Sequence, residues 1–192
     1  ISQTGVDWLS SRGYDRVTVD EFYFRDNLAD NMVWNQLITS PDPVRKRFAY
    51  ALSQFFVVST NGIEIDWRSN AMAAYWDILN RNAFGNFRQL LEDVTLNPAM
   101  GVYLSTLDNR KEDTRTGRVP DENYAREVMQ LFTIGLNELN NDGTKKTGST
   151  GQPIETYTNA DVSNLARVFT GYSYDFANLD RTPSVRFPTQ KI

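Results

Sequence analysis

Apolar side chains recur at helical spacing in segment after segment of this chain, and this periodicity constrains its fold more than any other feature. The segments 87–94 and 162–169 each place apolar residues at i, i+3, i+4 and i+7 in full. Segments 44–55 and 72–79 carry similar stripes, whereas runs that alternate apolar and polar residues are scarce. We therefore predict an all-α fold, a single-core bundle of about six to eight helices, with a possible small β-hairpin at Asn141-Asp142-Gly143.

Helix boundaries follow from the positions of capping residues and breakers. The spacing predicts helices over 19–38, 68–84 and 87–94, with Asp20 and Asn86 suited to cap the first and the last. Asn97-Pro98 starts a further short helix, and the pair Thr158 and Asp161 resembles a capping box. The capping signals therefore agree with the periodicity.

The segment 44–55 follows the restart signal Ser40-Pro41-Asp42-Pro43. Its stripe of Val44, Phe48, Ala51, Leu52 and Phe55 is expected to face the core, with Arg45, Lys46 and Arg47 opposite or at the rim. Because 55–58 is apolar on every side, we expect the end of this helix to be central to the core.

The segment 120–143, PDENYAREVMQLFTIGLNELNNDG, is predicted to be an amphipathic helix with an unusually polar outer face. Its apolar arc consists of Tyr124, Ala125, Val128, Met129, Leu131 and Phe132. The opposite side carries Glu122, Asn123, Arg126, Glu127, Gln130 and Thr133, with Ile134 as the apolar exception. Such a face is able to ligate a metal, bind a sugar or meet water.

Three helices supply side chains that we expect to be buried together, since each lies on an apolar stripe. They are Phe87, Leu91, Val128, Phe132, Leu165 and Phe169. Most of the four Trp and nine Tyr also fall on helical stripes, so they are expected in the core rather than in a carbohydrate-binding platform.

The length and composition of the chain are those of one domain. At 192 residues and 40% hydrophobic, the chain can bury one sizeable core, and we predict one helical domain over 1–192 with weakly defined edges at 1–40 and 175–192.

Composition also excludes several function classes. The net charge of −4 argues against nucleic-acid binding. The chain has no Cys and no His, which excludes disulfides, thiolate nucleophiles, Ser-His-Asp triads and ordinary zinc sites. We predict no metal and no cofactor.

No targeting or membrane-spanning segment is recognisable in the sequence. No run of about eighteen apolar residues occurs, so no transmembrane segment is predicted. The chain starts at Ile1 rather than at a methionine. We therefore expect it to be a processed or truncated part of a longer protein.

Glu127 is the leading candidate for acid-base chemistry, because it lies at the edge of the apolar arc, where a carboxylate needs a partner. Paired with Asp108 or Asp121, it would give a glycosidase-like hydrolase, provided that the two carboxylates have the required separation. Glu122 and Arg126 are four residues apart, so a surface ion pair explains them.

The charged loop 108–119 is expected to meet the 120–143 segment in one polar cluster. The predicted members are Asn109, Arg110, Asp121, Asn123, Arg126 and Glu127. An arginine from the loop is expected to bridge Glu127 in fork geometry, an arrangement that braces the loop against the helix and disfavours acid catalysis.

Four segments resemble, in order, the bacterial domain-of-unknown-function family 1800. They are RKRFAYALSQFFVVS (45–59), NAFGNFRQLLEDVTLNPAMGVYLSTLDNRK (82–111), the 120–143 segment, and YTNADVSNLARVFTGYSY (157–174). The resemblance implies a bacterial protein, usually longer than this chain and often exported, and therefore a periplasmic or extracellular location. No established activity comes with it.

Two kinds of function remain open. The leading hypothesis is a non-catalytic helical domain of an exported bacterial protein that acts in the cell envelope through protein–protein contacts. The alternatives are the carboxylate-dependent hydrolase and a subunit of a larger envelope complex. A deep pocket joining the carboxylates would favour the enzyme, and a flat, exposed aromatic or apolar patch would favour the binding module.

Overall fold

The computed structural model describes residues 2–14, 25, 27–65 and 67–174. Across these residues the chain forms eight α-helices and no β-strand, which confirms the all-α prediction. The helices are α1 (Gly5–Ser10), α2 (Asn27–Thr39), α3 (Pro43–Phe55), α4 (Arg68–Arg81), α5 (Phe87–Thr95), α6 (Pro98–Tyr103), α7 (Asn123–Gln130) and α8 (Asn159–Val168). A 3₁₀ turn covers Thr60–Gly62.

The chain divides into two compact units. The first contains α1 to α6 together with Ser173 and Tyr174, and the second covers 104–172 with α7 and α8. Compactness alone does not define a domain, which must also be able to fold by itself. The single domain over 1–192 therefore stays a prediction.

Helix α4 is the centre of the first unit and contacts α1, α2, α3, α5 and α6. It is buried on almost every side, and small buried residues such as Ala71, Ala73 and Ala74 let neighbouring helices approach closely. Its predicted stripe is buried as expected at Tyr75 and Leu79. The core of this unit is thus organised around one helix.

Most predicted helix starts are found in the structure. The Asn86 side chain accepts hydrogen bonds from the amides of Arg88 and Gln89 and caps α5. Helix α2 covers the later part of the predicted 19–38 segment and ends one residue beyond it, and the part of that segment containing Asp20 lies outside the described residues. Helix α4 ends at Arg81, a few residues before the predicted end at Phe84.

The orientation of α3 is opposite to the predicted one. Val44, Phe48 and Phe55 are exposed, whereas Lys46 is 2% exposed and Ala49 is fully buried. Two carboxylates, Asp42 just before α3 and Asp77 on α4, attract the buried Lys46 ammonium and partly offset the cost of burying it. Burial lowers the pKa of Lys46, and these two carboxylates oppose that shift.

Asp77 itself has a second structural function, which is to hold the start of α1. Its Oδ1 accepts a hydrogen bond from the Gly5 amide at 2.6 Å, and its Oδ2 accepts one from the Val6 amide at 3.0 Å. Burial raises the pKa of Asp77, although both amides and Lys46 counteract that effect. A carboxylate at a helix N-terminus also interacts favourably with the helix dipole.

In the second unit, α7 packs against α8. Ala125, Val162 and Ala166 form its buried centre, and Met129 and Phe169 are among the side chains packed against it. The capping box at the start of α8 is present as predicted, with Thr158 and Asp161 exchanging hydrogen bonds. Local sequence and packing therefore agree at α8.

Helix α7 is much shorter than the predicted 120–143 helix, because it ends at Gln130. The chain then folds back, and the Thr133 hydroxyl donates to the Val128 carbonyl at 2.6 Å. Gly135 has a φ of +73°, a left-handed conformation that suits glycine, and its amide donates to the Met129 carbonyl. These bonds satisfy the last helical carbonyls and terminate the helix.

Early termination also changes which of the predicted residues are buried. Tyr124, Ala125 and Phe132 are buried, but Leu131, which the helical wheel placed on the apolar arc, is exposed. Beyond Gln130 the chain no longer follows helical spacing, so the wheel does not apply there.

The set expected to be buried together is only partly correct. Phe132 is buried, and Leu91, Val128, Leu165 and Phe169 are partly buried. The prediction for Phe87 is wrong, since 47% of this residue is exposed at the first position of α5.

The predicted hairpin region forms three short extended segments around 137–139, 145–147 and 153–155. They are joined by isolated antiparallel bridges, of which Leu139 with Lys145 and Thr147 with Pro153 are two. The first turn has Gly143 at a φ of +83° and the Asp142 carboxylate bonded to the Thr144 amide. The segments pair too briefly to be strands.

Candidate functional site

Asn109 is the hub of the loop that precedes α7. Its Oδ1 accepts a hydrogen bond from the Asp121 amide at 2.9 Å, and its Nδ2 donates to the carbonyls of Asp121 and Phe169, each at 3.2 Å. Its backbone carbonyl accepts from the Gly171 amide at 2.8 Å. Asn109 is only 8% exposed, so it ties the loop, the start of α7 and the end of α8 together from inside.

The same loop contains two residues in the left-handed region, Ser105 with a φ of 62° and Asp108 with a φ of 58°. Such conformations carry strain for residues with a side chain. The Asp108 amide donates to the Tyr172 carbonyl at 2.8 Å and helps to hold the loop in place. The loop is therefore firmly anchored inside the second unit.

An open surface hollow of about 510 Å³ lies along this loop. Asp108, Arg110, Arg118 and Asp121 line it, so it presents two acids and two bases. The Arg118 side chain is bonded to the Lys111 carbonyl at 3.1 Å, and Asp121 accepts a hydrogen bond from the Asn123 amide at 2.9 Å. The hollow is a mixed-charge surface depression.

Asn109, Asp121 and Asn123 are the part of the predicted cluster that is linked by hydrogen bonds. The Asn123 side chain adds a long contact of 3.5 Å from its Nδ2 to the Ser105 hydroxyl. Arg110 lines the hollow beside them but makes no hydrogen bond or ion pair with another described residue. These residues assemble the start of α7.

The predicted arginine fork on Glu127 is absent from the part of the chain that the structure describes. Arg126 pairs with Glu122, at 2.9 Å between Nη2 and Oε2, and the other Glu122 oxygen accepts from the Ser163 hydroxyl at 2.6 Å. Arg126 pairs with Glu122 rather than with Glu127 because residues four positions apart on a helix lie on the same side. Adjacent residues such as Arg126 and Glu127 point to different sides. Glu122 thus links α7 to α8.

Glu127 is a partly buried carboxylate whose Oε2 is buried without a hydrogen-bond partner among the described residues. A buried carboxylate oxygen is costly to leave unpaired. Glu127 is not among the residues that line the hollow with Asp108 and Asp121. The structure therefore does not bring the three candidate catalytic carboxylates to one cavity.

The first unit has a surface that the sequence did not predict, which we call the phenylalanine face. It consists of Val44, Phe48, Phe55, Phe84 and Phe87, each of them exposed. Its rings are in contact in pairs, with centroids 5.0 Å apart for Phe48 and Phe84 and 6.4 Å apart for Phe55 and Phe87. The apolar stripe of α3 was visible in the sequence, but the spacing of its residues did not show that this stripe is exposed and that Lys46 is buried.

Within the described ranges 2–14, 25, 27–65 and 67–174, no group of three or more His, Cys, Asp or Glu is placed to hold a metal ion. None of the helices in those ranges has the length and apolar character needed to cross a bilayer.

Comparison with known proteins places the chain by family. The family model described as "Protein of unknown function (DUF1800)" matches residues 23–191. No curated protein and no solved structure matches the chain. The match covers most of the sequence, including all four segments that carry the resemblance, and so the chain belongs to the DUF1800 family.

Proposed function

We propose that this chain is a non-catalytic helical module that acts through protein–protein contact at the phenylalanine face. The observation that carries the proposal is the exposure of Phe48, Phe84 and Phe87, which are 50%, 56% and 47% exposed. Contiguous exposed aromatic surface of this kind is typical of interaction sites, because a monomer gains nothing from leaving it in water.

The charges beside the face indicate what kind of partner it fits. Arg47 lies three residues after Val44 on α3, at the rim of the face, and its guanidinium makes no ion pair with a described residue. Arg45, in contrast, lies over the Phe84 ring at 4.9 Å and donates to the Asn80 carbonyl. The proposed partner is therefore a protein surface with an apolar centre and acidic residues around it.

The cell envelope of a bacterium is the proposed place of this contact, and family membership is the support for it. The test is fractionation of the native host with an antibody against the chain. Recovery in the periplasmic or extracellular fraction supports the location, and recovery with the cytoplasmic marker contradicts it.

Photo-crosslinking tests the proposed contact. A photoreactive benzoylphenylalanine replaces Phe84 in the native host, and we expect one predominant crosslinked protein. Phe48→Asp is then added to the chain that carries the photoreactive residue at position 84. It should weaken partner binding by at least about tenfold, since it places a charge in the apolar centre of the phenylalanine face. The charge reversal Arg47→Glu should slow association.

Leu139 is the matched control, because it is an exposed apolar residue of the second unit. Leu139→Asp should leave the crosslink from position 84 unchanged. The proposal fails if no crosslink forms or if Phe48→Asp does not reduce it. Crosslinks only to other copies of the chain would instead show self-association.

A carboxylate-dependent hydrolase is the second candidate, and the unpartnered Oε2 of Glu127 is the observation that favours it. Its test is hydrolysis of a panel of glycosides by the purified chain and by Glu127→Gln. Activity that Glu127→Gln abolishes would support the enzyme.

The third alternative is that the chain is a subunit of a larger envelope complex. In that case the crosslinking experiment would recover a partner in stoichiometric amount.

A further inference from the structure

A partly open cavity in the first unit, separate from the phenylalanine face, is lined by residues of α2, α3 and α4 and by Val58. Its volume is about 270 Å³, and no residue of the phenylalanine face lines it. Ligand pockets for drug-sized molecules span roughly 300–1,000 Å³, so this cavity suits a smaller chemical group.

Four aromatic side chains line the cavity: Trp34, Tyr50, Tyr75 and Trp76. Tyr75 and Trp76 are buried and use their polar atoms within the protein, since the Tyr75 hydroxyl donates to the Phe56 carbonyl and the Trp76 indole donates to Gln36. They therefore present ring carbon to the cavity. Trp34 and Tyr50 are 59% and 40% exposed, with ring centroids 6.4 Å apart at an angle of 42°.

Asp30 brings a carboxylate to this aromatic lining. It is exposed and makes no hydrogen bond or ion pair with another described residue. None of the lining residues that the structure describes is Lys or Arg. The cavity thus combines aromatic rings with a negative charge that no cation of its own lining neutralises.

From this combination we propose that the cavity binds a small organic cation, with its quaternary or methylated ammonium group against the rings of Trp34 and Tyr50 and with Asp30 as the counter-charge. Aromatic faces attract such cations through the ring quadrupole. A nearby carboxylate adds a Coulombic attraction, and the apolar lining at Val33 and Met72 accommodates the methyl groups.

A neutral sugar fits the lining less well. A sugar needs several free donors and acceptors, but the Ser53 hydroxyl donates to the Tyr50 carbonyl at 2.7 Å and accepts from Gln54 at 3.3 Å. The Ser53 hydroxyl is therefore already engaged in both directions and offers a sugar little. The charge on Asp30 is the dominant polar feature, and it selects for a cation.

The test is titration of the purified chain with choline and tetramethylammonium, followed by calorimetry and by two-dimensional NMR of the Trp indole groups. The chain has four Trp, and Trp34→Phe identifies the Trp34 signal. We expect both cations to bind and to shift the Trp34 signal. Asp30→Asn and Trp34→Ala should each weaken binding by about tenfold or abolish it, whereas Tyr50→Phe, which keeps a ring, should bind as the parent does.

The neutral isostere 3,3-dimethylbutanol separates charge recognition from simple apolar filling. It has the shape of choline without the charge, so it should bind at least about tenfold more weakly. Asp142→Asn, an exposed carboxylate change in the second unit, is the matched control and should leave binding unchanged. Equal binding of the isostere, unchanged binding in Asp30→Asn, or no shift of Trp34 with either cation would overturn the proposal.

Discussion

At the scale of single residues, Asn109 shows how one side chain can define a local structure. Its amide makes three hydrogen bonds, two to the backbone of Asp121 and one to the carbonyl of Phe169. Because the residue is buried, each group left unpaired by a substitution would also lose solvation by water. Sequence spacing predicted its membership of a polar cluster, but its bonds to the end of α8 depend on tertiary structure.

Replacing Asn109 should destabilise the protein more than replacing a nearby exposed asparagine. We expect Asn109→Ala to lower the free energy of unfolding by about 1–3 kcal/mol, because it leaves buried backbone groups unpaired. The control is Asn123→Ala, since this exposed side chain makes only a contact of 3.5 Å. Urea denaturation measures both variants, and equal effects would contradict the role assigned to Asn109.

Asp93 gives the stability of the chain a predictable pH dependence. Burial acts to raise the pKa of Asp93, but hydrogen bonds from Asn82, Gln89 and Arg81 outweigh it, so the pKa lies below the ordinary value of 3.8. A lowered pKa means that the folded state binds fewer protons. The stability that Asp93 contributes is therefore fully present above pH 3.8 and is lost as the pH falls through the folded-state pKa.

We expect Asp93→Asn to reduce the loss of stability on acidification below that value. The measurement is the urea midpoint as a function of pH for the parent and the variant. Glu92→Gln is the control, because Glu92 is an exposed carboxylate on the same helix, and it should keep the parent's acid dependence. If both variants follow the parent curve, the hydrogen bonds to Asp93 do not have the assigned effect.

At the scale of helices, periodicity located the elements better than it determined their extent or orientation. Helix α3 was predicted correctly in position, yet its apolar stripe is exposed and Lys46 is inside. Helix α7 begins near the predicted start and ends at Gln130, because Thr133 and Gly135 fold back onto its last carbonyls. Neither difference is visible in the spacing of apolar residues, because burial depends on packing and the end of α7 depends on backbone and side-chain hydrogen bonds.

The end of α7 can be tested by two adjacent residues. Phe132 is 1% exposed and its ring is 6.3 Å from that of Tyr124, whereas Leu131 is 45% exposed. Phe132→Ala should cost about 3–5 kcal/mol of stability through lost burial and a cavity. Leu131→Ala should change stability by less than about 1 kcal/mol, as expected for a surface position. Similar losses in thermal or urea denaturation would mean that α7 continues along the predicted wheel.

At the scale of the whole molecule, the two compact units have different organisation. The first surrounds α4, which is buried by five other helices, and it carries the phenylalanine face and the aromatic cavity. The second is built on the α7 and α8 pair and on irregular segments held by turns and bridges. Both proposed binding features lie in the first unit, although the polar cluster predicted from the sequence lies in the second.

Family and fold class were determined by the sequence alone, because both depend on patterns that are local in the chain. Four segments in order identified DUF1800, and the spacing of apolar residues predicted an all-helical protein. Caps such as Asn86 and the box at Thr158 were also predictable, since their hydrogen bonds join residues only two or three positions apart.

Tertiary structure alone decided which faces are buried and which charged groups meet. Lys46 is inside although its position opposite the apolar stripe predicted otherwise, and Asp77, thirty-one positions later in the chain and on another helix, adds to the attraction from Asp42 that offsets the burial of its charge. Glu122 likewise accepts a hydrogen bond from Ser163 of α8, a partner that only folding supplies, whereas its pair with Arg126 follows from their spacing of four residues. A one-dimensional pattern identifies an apolar stripe, but the choice between core and solvent depends on partners that only folding brings together.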